Sequence, residues 1–191
     1  MNWTVARDEL VTAAPVSPLE TGVVASSGIY AWWDTRSALA SRWPHAFPLV
    51  DSSRPLYVGV AAKQSLSSRV VETHLLTTRR SALRCSLSAL LSEPLELLPG
   101  AVRHPRGGKF GLEKSQESRL TEWMVTNLRV TWVEHSEPGS VEKPIIRDTL
   151  PTLNFTYATG SPYRARMKAL RMEFRASAPL VWESKDSRAI Y

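Results

Sequence analysis

At 191 residues, with 43% hydrophobic and 22% charged residues, the chain is long enough to bury the core of one globular domain without covalent staples. Its single cysteine, Cys85, excludes a disulfide framework and a cysteine-based zinc site, and four scattered histidines (His45, His74, His104, His135) show no metal-ligand spacing. Lys and Arg outnumber Asp and Glu by 24 to 18, a surplus of +6 with a pI near 9.8 that favours a polyanionic partner. Neither a signal peptide nor a membrane-spanning run is visible, so a cytoplasmic address is the expectation.

Residues 1–24 read as an N-terminal arm without a clear period, packed on a domain that runs over 25–155. The first strand covers Ser27 to Asp34, rich in aromatic residues, and a polar loop leads to a second strand, Leu56 to Ala61. Two helices follow. Ser65 or Ser67 caps the first, through Leu66, Arg69, Val70, Val71, Glu72 and Leu75; the second covers Arg80 to Leu91 and ends at Glu93-Pro94. An inserted segment occupies about 93–128, with a short extra strand over Leu95 to Leu98, a basic glycine-rich loop and a helix from Glu113 to Leu128. A third strand spans Arg129 to Glu134, and a helix runs from about Val141 to Leu150, stopped by Pro151. Residues 156–191 read as a basic C-terminal tail with weak helical signal around Tyr163 to Phe174. This order predicts an α/β (α+β) domain with a small three-stranded mixed sheet flanked by helices.

Gly28-Ile29-Tyr30 on the first strand and Tyr57-Val58-Gly59 on the second resemble the two name-giving motifs of the GIY-YIG nucleases. Ser65 to Val71 is similar to the family helix carrying an arginine. Val141 to Ile146 is similar to its metal-binding glutamate segment, and Thr149 to Asn154 to its proline-and-asparagine ending. The resemblance covers about residues 26–155 and five ordered elements. It implies a metal-dependent endonuclease hydrolysing phosphodiester bonds in DNA, restriction-like or defence-related. A catalytically inactive DNA- or RNA-binding module of the same fold is the alternative, and a structural protein with accidental tripeptides a third reading. The resemblance further implies Mg2+ (or Mn2+) as cofactor, double-stranded DNA as partner, and a homodimer if both strands are cut.

In the resemblance Tyr30 relays a proton, Tyr57 supports it or positions the water, and Arg69 clamps the scissile phosphate through its planar fork. Glu142 holds the cation, since one carboxylate suffices for a hard ion that keeps its waters and binds substrate phosphate. Asn154 joins the tyrosine network. Many members carry a His or Tyr one turn after the arginine, where this chain has Thr73 and then His74. At about 100° per residue, Thr73 sits beside Arg69 and His74 points between Leu66, Val70 and Val71, which favours a core role over a catalytic one for His74. Arg79, Arg80, Arg84, Arg103, Arg106 and Lys109 are candidate nucleic-acid contacts, against the plain alternative of a solvated surface. Adjacent Trp32 and Trp33 face opposite sides of their strand: one enters the core, and the other is covered by the arm or stacks on a base.

Overall fold

A computed structural model describes residues 1–39, 53–100 and 110–179 of the chain. Three strands, β1 (Gly28–Trp33), β2 (Tyr57–Ala61) and β3 (Arg129–Glu134), form one sheet in the order β2-β1-β3. The class is as the sequence predicts, but β1 pairs antiparallel with both neighbours, so the sheet is antiparallel rather than mixed. Alternation divides it cleanly. Tyr30, Trp32, Tyr57 and Ala61 face one side; Ile29, Ala31, Trp33, Val58 and Val133 face the other.

The first side is covered by a π-helix (Ser68–Leu75), α2 (Ala82–Leu90), α3 (Lys114–Asn127) and α5 (Arg164–Ala176). The second is covered by α1 (Trp3–Thr12) and α4 (Pro138–Thr149), through Ala6, Leu10, Val141, Ile145 and Ile146. The arm is therefore ordered. Asn2 caps α1 by accepting from the Thr4 amide, and Ala6 and Leu10 bury Trp33. Both tryptophans are buried, and Trp33 Nε1 donates to Thr131 Oγ1 at 2.9 Å.

Several element boundaries differ from the sequence reading. Pro138 opens α4 three residues earlier than Val141, so Glu142 lies beyond the first turn and Pro144 sits inside the helix. The segment Leu95 to Leu98 is turn and coil rather than strand, with Glu96 at φ 47°. Past 155 the described residues pack on the domain: Tyr163, Met167 and Phe174 are buried in the same cluster as Leu83 and Leu87 of α2. No helix among the described residues is long and apolar enough to cross a membrane.

Both sheet edges are held by the chain itself. Leu153 donates its amide to the Leu56 carbonyl at 2.8 Å, and Val16 exchanges backbone hydrogen bonds with Val130 at 3.0 and 2.9 Å.

Candidate active site

The antiparallel register sets Tyr30 opposite Gly59 and Trp32 opposite Tyr57, so both tyrosines share a face. A Cβ on Gly59 would lie 2.4 Å from the Tyr30 hydroxyl and 2.9 Å from the Tyr57 ring. Only the missing side chain lets the two rings close over β2. Gly28 is needed for a similar reason, since a Cβ there would meet the Val133 carbonyl at 2.3 Å.

Arg69 and His74 come from the π-helix. Ser65 is the capping serine, accepting from the Ser68 amide at 3.0 Å. After that start the helix widens into π geometry, with amides pairing five residues back, although the Arg69 amide still reaches the Ser65 carbonyl four residues back at 3.0 Å. This overturns the orientation read from α-helical geometry. His74, not Thr73, shares a face with Arg69, and both reach Tyr30. Arg69 Nε donates to the Tyr30 hydroxyl at 3.2 Å, and His74 Nε2 lies 2.6 Å from the same oxygen. The imidazole sits edge-on to three aromatic rings, with centroids 5.4 Å from Tyr30, 5.9 Å from Trp32 and 5.6 Å from Tyr57. Its other nitrogen, Nδ1, lies 2.6 Å from Ser81 Oγ, the cap of α2.

Burial, then the cations Arg69 and Arg84, hold the His74 pKa well below the ordinary histidine value, so the ring is neutral. Burial, then Tyr57, pushes the Tyr30 hydroxyl above the usual tyrosine range, opposed by Arg69. Tyr57 is raised chiefly by burial as well.

Glu142 arrives from α4, on the opposite side of the sheet, beside the edge strand β2. Its charge acts on Tyr30, Tyr57 and Arg69. Burial raises its carboxyl, and Arg69 offsets only part of that. Arg69 and Glu142 couple through charge with no hydrogen bond between them. Asn154 has a different place from the one the resemblance suggests. Its carboxamide accepts from the Val58 amide at 2.9 Å and donates to the Val58 carbonyl at 2.8 Å, clamping the strand one residue beyond Tyr57. It acts on the strand, not on a tyrosine hydroxyl.

Arg84 is fully buried and is not a nucleic-acid contact. Its Nη1 donates to the His74 and Leu75 carbonyls at 3.3 and 2.7 Å, and its Nη2 meets Glu117 Oε2 at 2.5 Å. The guanidinium satisfies the last carbonyls of the π-helix, joined there by the Thr121 hydroxyl on Leu75. Glu117 also accepts from the Thr78 amide and hydroxyl, tying α3 to the same knot. Arg79 and Arg80 remain exposed. Arg103, Arg106 and Lys109 lie outside the described residues.

A family model of the GIY-YIG catalytic domain matches residues 28–173, most of the chain. The chain belongs to the GIY-YIG family. Neither curated proteins nor solved structures gave a match. The family match extends into α5, past the boundary at 155 drawn from sequence. GIY-YIG membership makes this a nuclease-type domain whose substrate is nucleic acid. Two residues near this GIY-YIG site escape a sequence reading. Ser81 looks like an ordinary cap, and nothing in its neighbourhood signals His74. Arg171 of α5, whose charge lowers Tyr57, sits in a segment with a weak helical pattern.

Proposed function

We propose that the protein is an endonuclease hydrolysing phosphodiester bonds in double-stranded DNA, with a divalent cation, Mg2+ or Mn2+, on Glu142. The observation that supports this most is the meeting at one oxygen of Arg69 Nε and His74 Nε2, with Glu142 in electrostatic reach. The described residues hold no cluster of three His, Cys, Asp or Glu side chains. A single half-buried carboxylate therefore fits a hard cation completed by water and substrate phosphate rather than a cage of protein ligands. When bound, that cation supplies Lewis acidity at the scissile phosphate.

The chain's own residues handle the proton and the anion. Tyr30 is protonated at rest, so it can take a proton from an attacking water only as its own proton leaves. His74 Nε2 is the acceptor at hand. That role requires the tautomer with Nδ1–H donating to Ser81 Oγ, leaving Nε2 free. The depressed basicity of His74 opposes the transfer, but a phosphate seated on Arg69 offsets one of the cations responsible. The terminal nitrogens of Arg69 carry no hydrogen bond among the described residues, and its planar fork suits a phosphate. Tyr57 walls the other side of His74 and positions the water. Asn154, by fixing β2, sets Tyr57 in place.

The test is Glu142→Gln. The change is isosteric, and it removes a carboxylate whose raised pKa means that ionisation at neutral pH opposes folding. Nicking or linearisation of supercoiled plasmid with Mg2+ should fall by at least ~100-fold. Melting temperature should hold or rise, and binding to a labelled duplex should persist. A variant that still cuts near the wild-type rate overturns the cation site. Wild-type protein that binds without cutting returns the chain to a binding module. Cleavage of both strands at one defined site would support a restriction-like or defence role carried out by two copies.

A further inference from the structure

Helix α5 carries Arg164, Arg166, Lys168, Arg171 and Arg175 against one carboxylate, Glu173, in a chain whose whole formal surplus is +6. Most of the molecule's excess positive charge is thus concentrated on a single helix. Arg164, Lys168 and Arg171 follow one another at i, i+4 and i+7, which aligns them along one side. Glu173 stands outside that row and pairs instead with Arg166 at 3.8 Å. Like charges one turn apart oppose each other, so the row is unfavourable for the helix by itself.

The row is anchored to the domain and leads to the site. Met167 and Phe174 bury the neighbouring side of α5 in the core shared with α2. The Arg171 guanidinium lies over the Phe155 ring, 4.6 Å from its centroid, and Arg164 Nε donates to the Phe155 carbonyl at 3.1 Å. From that perch Arg171 also acts on Tyr57. At 1.5 Å per residue the row is about 10 Å long. A duplex strand carries one phosphate per 3.4 Å of helix axis, so a row of this length runs beside more than one of them.

We propose that this side of α5 is a track for the phosphate backbone, seating the nucleic acid on the flank of the Tyr57 wall. The inference rests on the nuclease reading of the site and names the surface that holds its substrate. A polyanion relieves the repulsion within the row, and each phosphate neutralised releases condensed counterions. Arg166, paired with Glu173, is outside the track.

The experiment measures duplex binding by fluorescence anisotropy across a salt series, in EDTA so that no cutting interferes. The full chain is compared with R164Q/K168Q, with Lys168→Glu alone, and with K114Q/R119Q on α3 as a charge-matched control. Glutamine keeps helix propensity and both target positions are exposed. The slope of log K against log salt should fall by about 1.8 in R164Q/K168Q, and by at least about 0.9 in Lys168→Glu. The slope should hold in the control, and the control should keep the cleavage rate of the unaltered protein. An unchanged slope in R164Q/K168Q, or an equal fall in the control, overturns the track. If the unaltered protein cuts while the variant keeps its slope, the track alone fails. If the unaltered protein binds no duplex at low salt, the track and the nuclease reading fail together.

Discussion

The two faces of the sheet are built from alternate residues of the same strands, yet they hold opposite kinds of interior. Under α1 and α4 lie Ile29, Ala31, Trp33, Val58 and Val133, an apolar layer that anchors one hydrogen-bonded pair, Trp33 with Thr131. Under the π-helix, α2 and α3 the buried atoms form a chain of polar contacts, from Arg69 to Tyr30, His74 and Ser81, with Arg84 and Glu117 closing it from below. The difference teaches where errors are tolerated. An apolar layer loses stability roughly in proportion to the volume removed. A buried polar chain fails when one partner is taken, because the remainder is left desolvated and unsatisfied.

The largest effect should therefore come from Arg84→Ala. It strands the Glu117 carboxylate and the His74 and Leu75 carbonyls, and loss of one partner of a buried pair costs about 3–5 kcal/mol. Chemical denaturation should show that loss; a change below about 1 kcal/mol would erase the contrast between the faces. Next comes Gly59→Ala, which adds a methyl group to the polar face alone. It must displace the Tyr30 hydroxyl or the Tyr57 ring, at about 1–3 kcal/mol for an overpacked interior. Plasmid cleavage should fall further than that loss of stability explains, and full activity in a destabilised variant would show that Tyr30 need not hold this position.

The smallest effect is acid sensitivity, which on the polar face comes from the fully buried His74. His74 has a folded pKa well below 6.5, whereas the unfolded ring titrates near that value. Its contribution to stability is therefore present above about pH 6.5 and is lost as pH falls, since only the unfolded chain takes up the proton readily. Melting temperature should drop from pH 7.5 to 5.5, and His74→Gln should flatten that slope. An unchanged slope would mean that His74 is not held neutral by its surroundings.

The strands were legible in the sequence, because aromatic and β-branched residues bounded by turn signals mark them, and β3 matches residue for residue. Strand direction was not, since three short strands linked by long segments permit either pairing. The site was legible as a set of residue types. The place of His74 was not, because a π-helix and an α-helix differ by one residue in hydrogen-bond spacing, and a hydrophobic pattern over eight residues does not resolve that difference. Arg84 misled for another reason: an arginine between Leu83 and Cys85 reads as surface until Glu117, thirty-three positions away, is placed beside it. The α5 row had a signal in plain view, since its three cations keep helical spacing, but the segment's weak apolar pattern concealed a helix.

The clamp of Asn154 on Val58 has a bearing on how copies of this protein can meet. An edge strand with free amides and carbonyls is a template for another strand, and a side-chain amide that mimics a backbone peptide closes it. Val16 does the same for β3 at Val130. With a cover at each border, continuation of the sheet from one molecule into the next is blocked at Val58 and at Val130. Two copies acting on opposite strands of a duplex would have to associate through helices or loops, so their geometry could change without disturbing the hydrogen-bonded strands that hold Tyr30 and Tyr57.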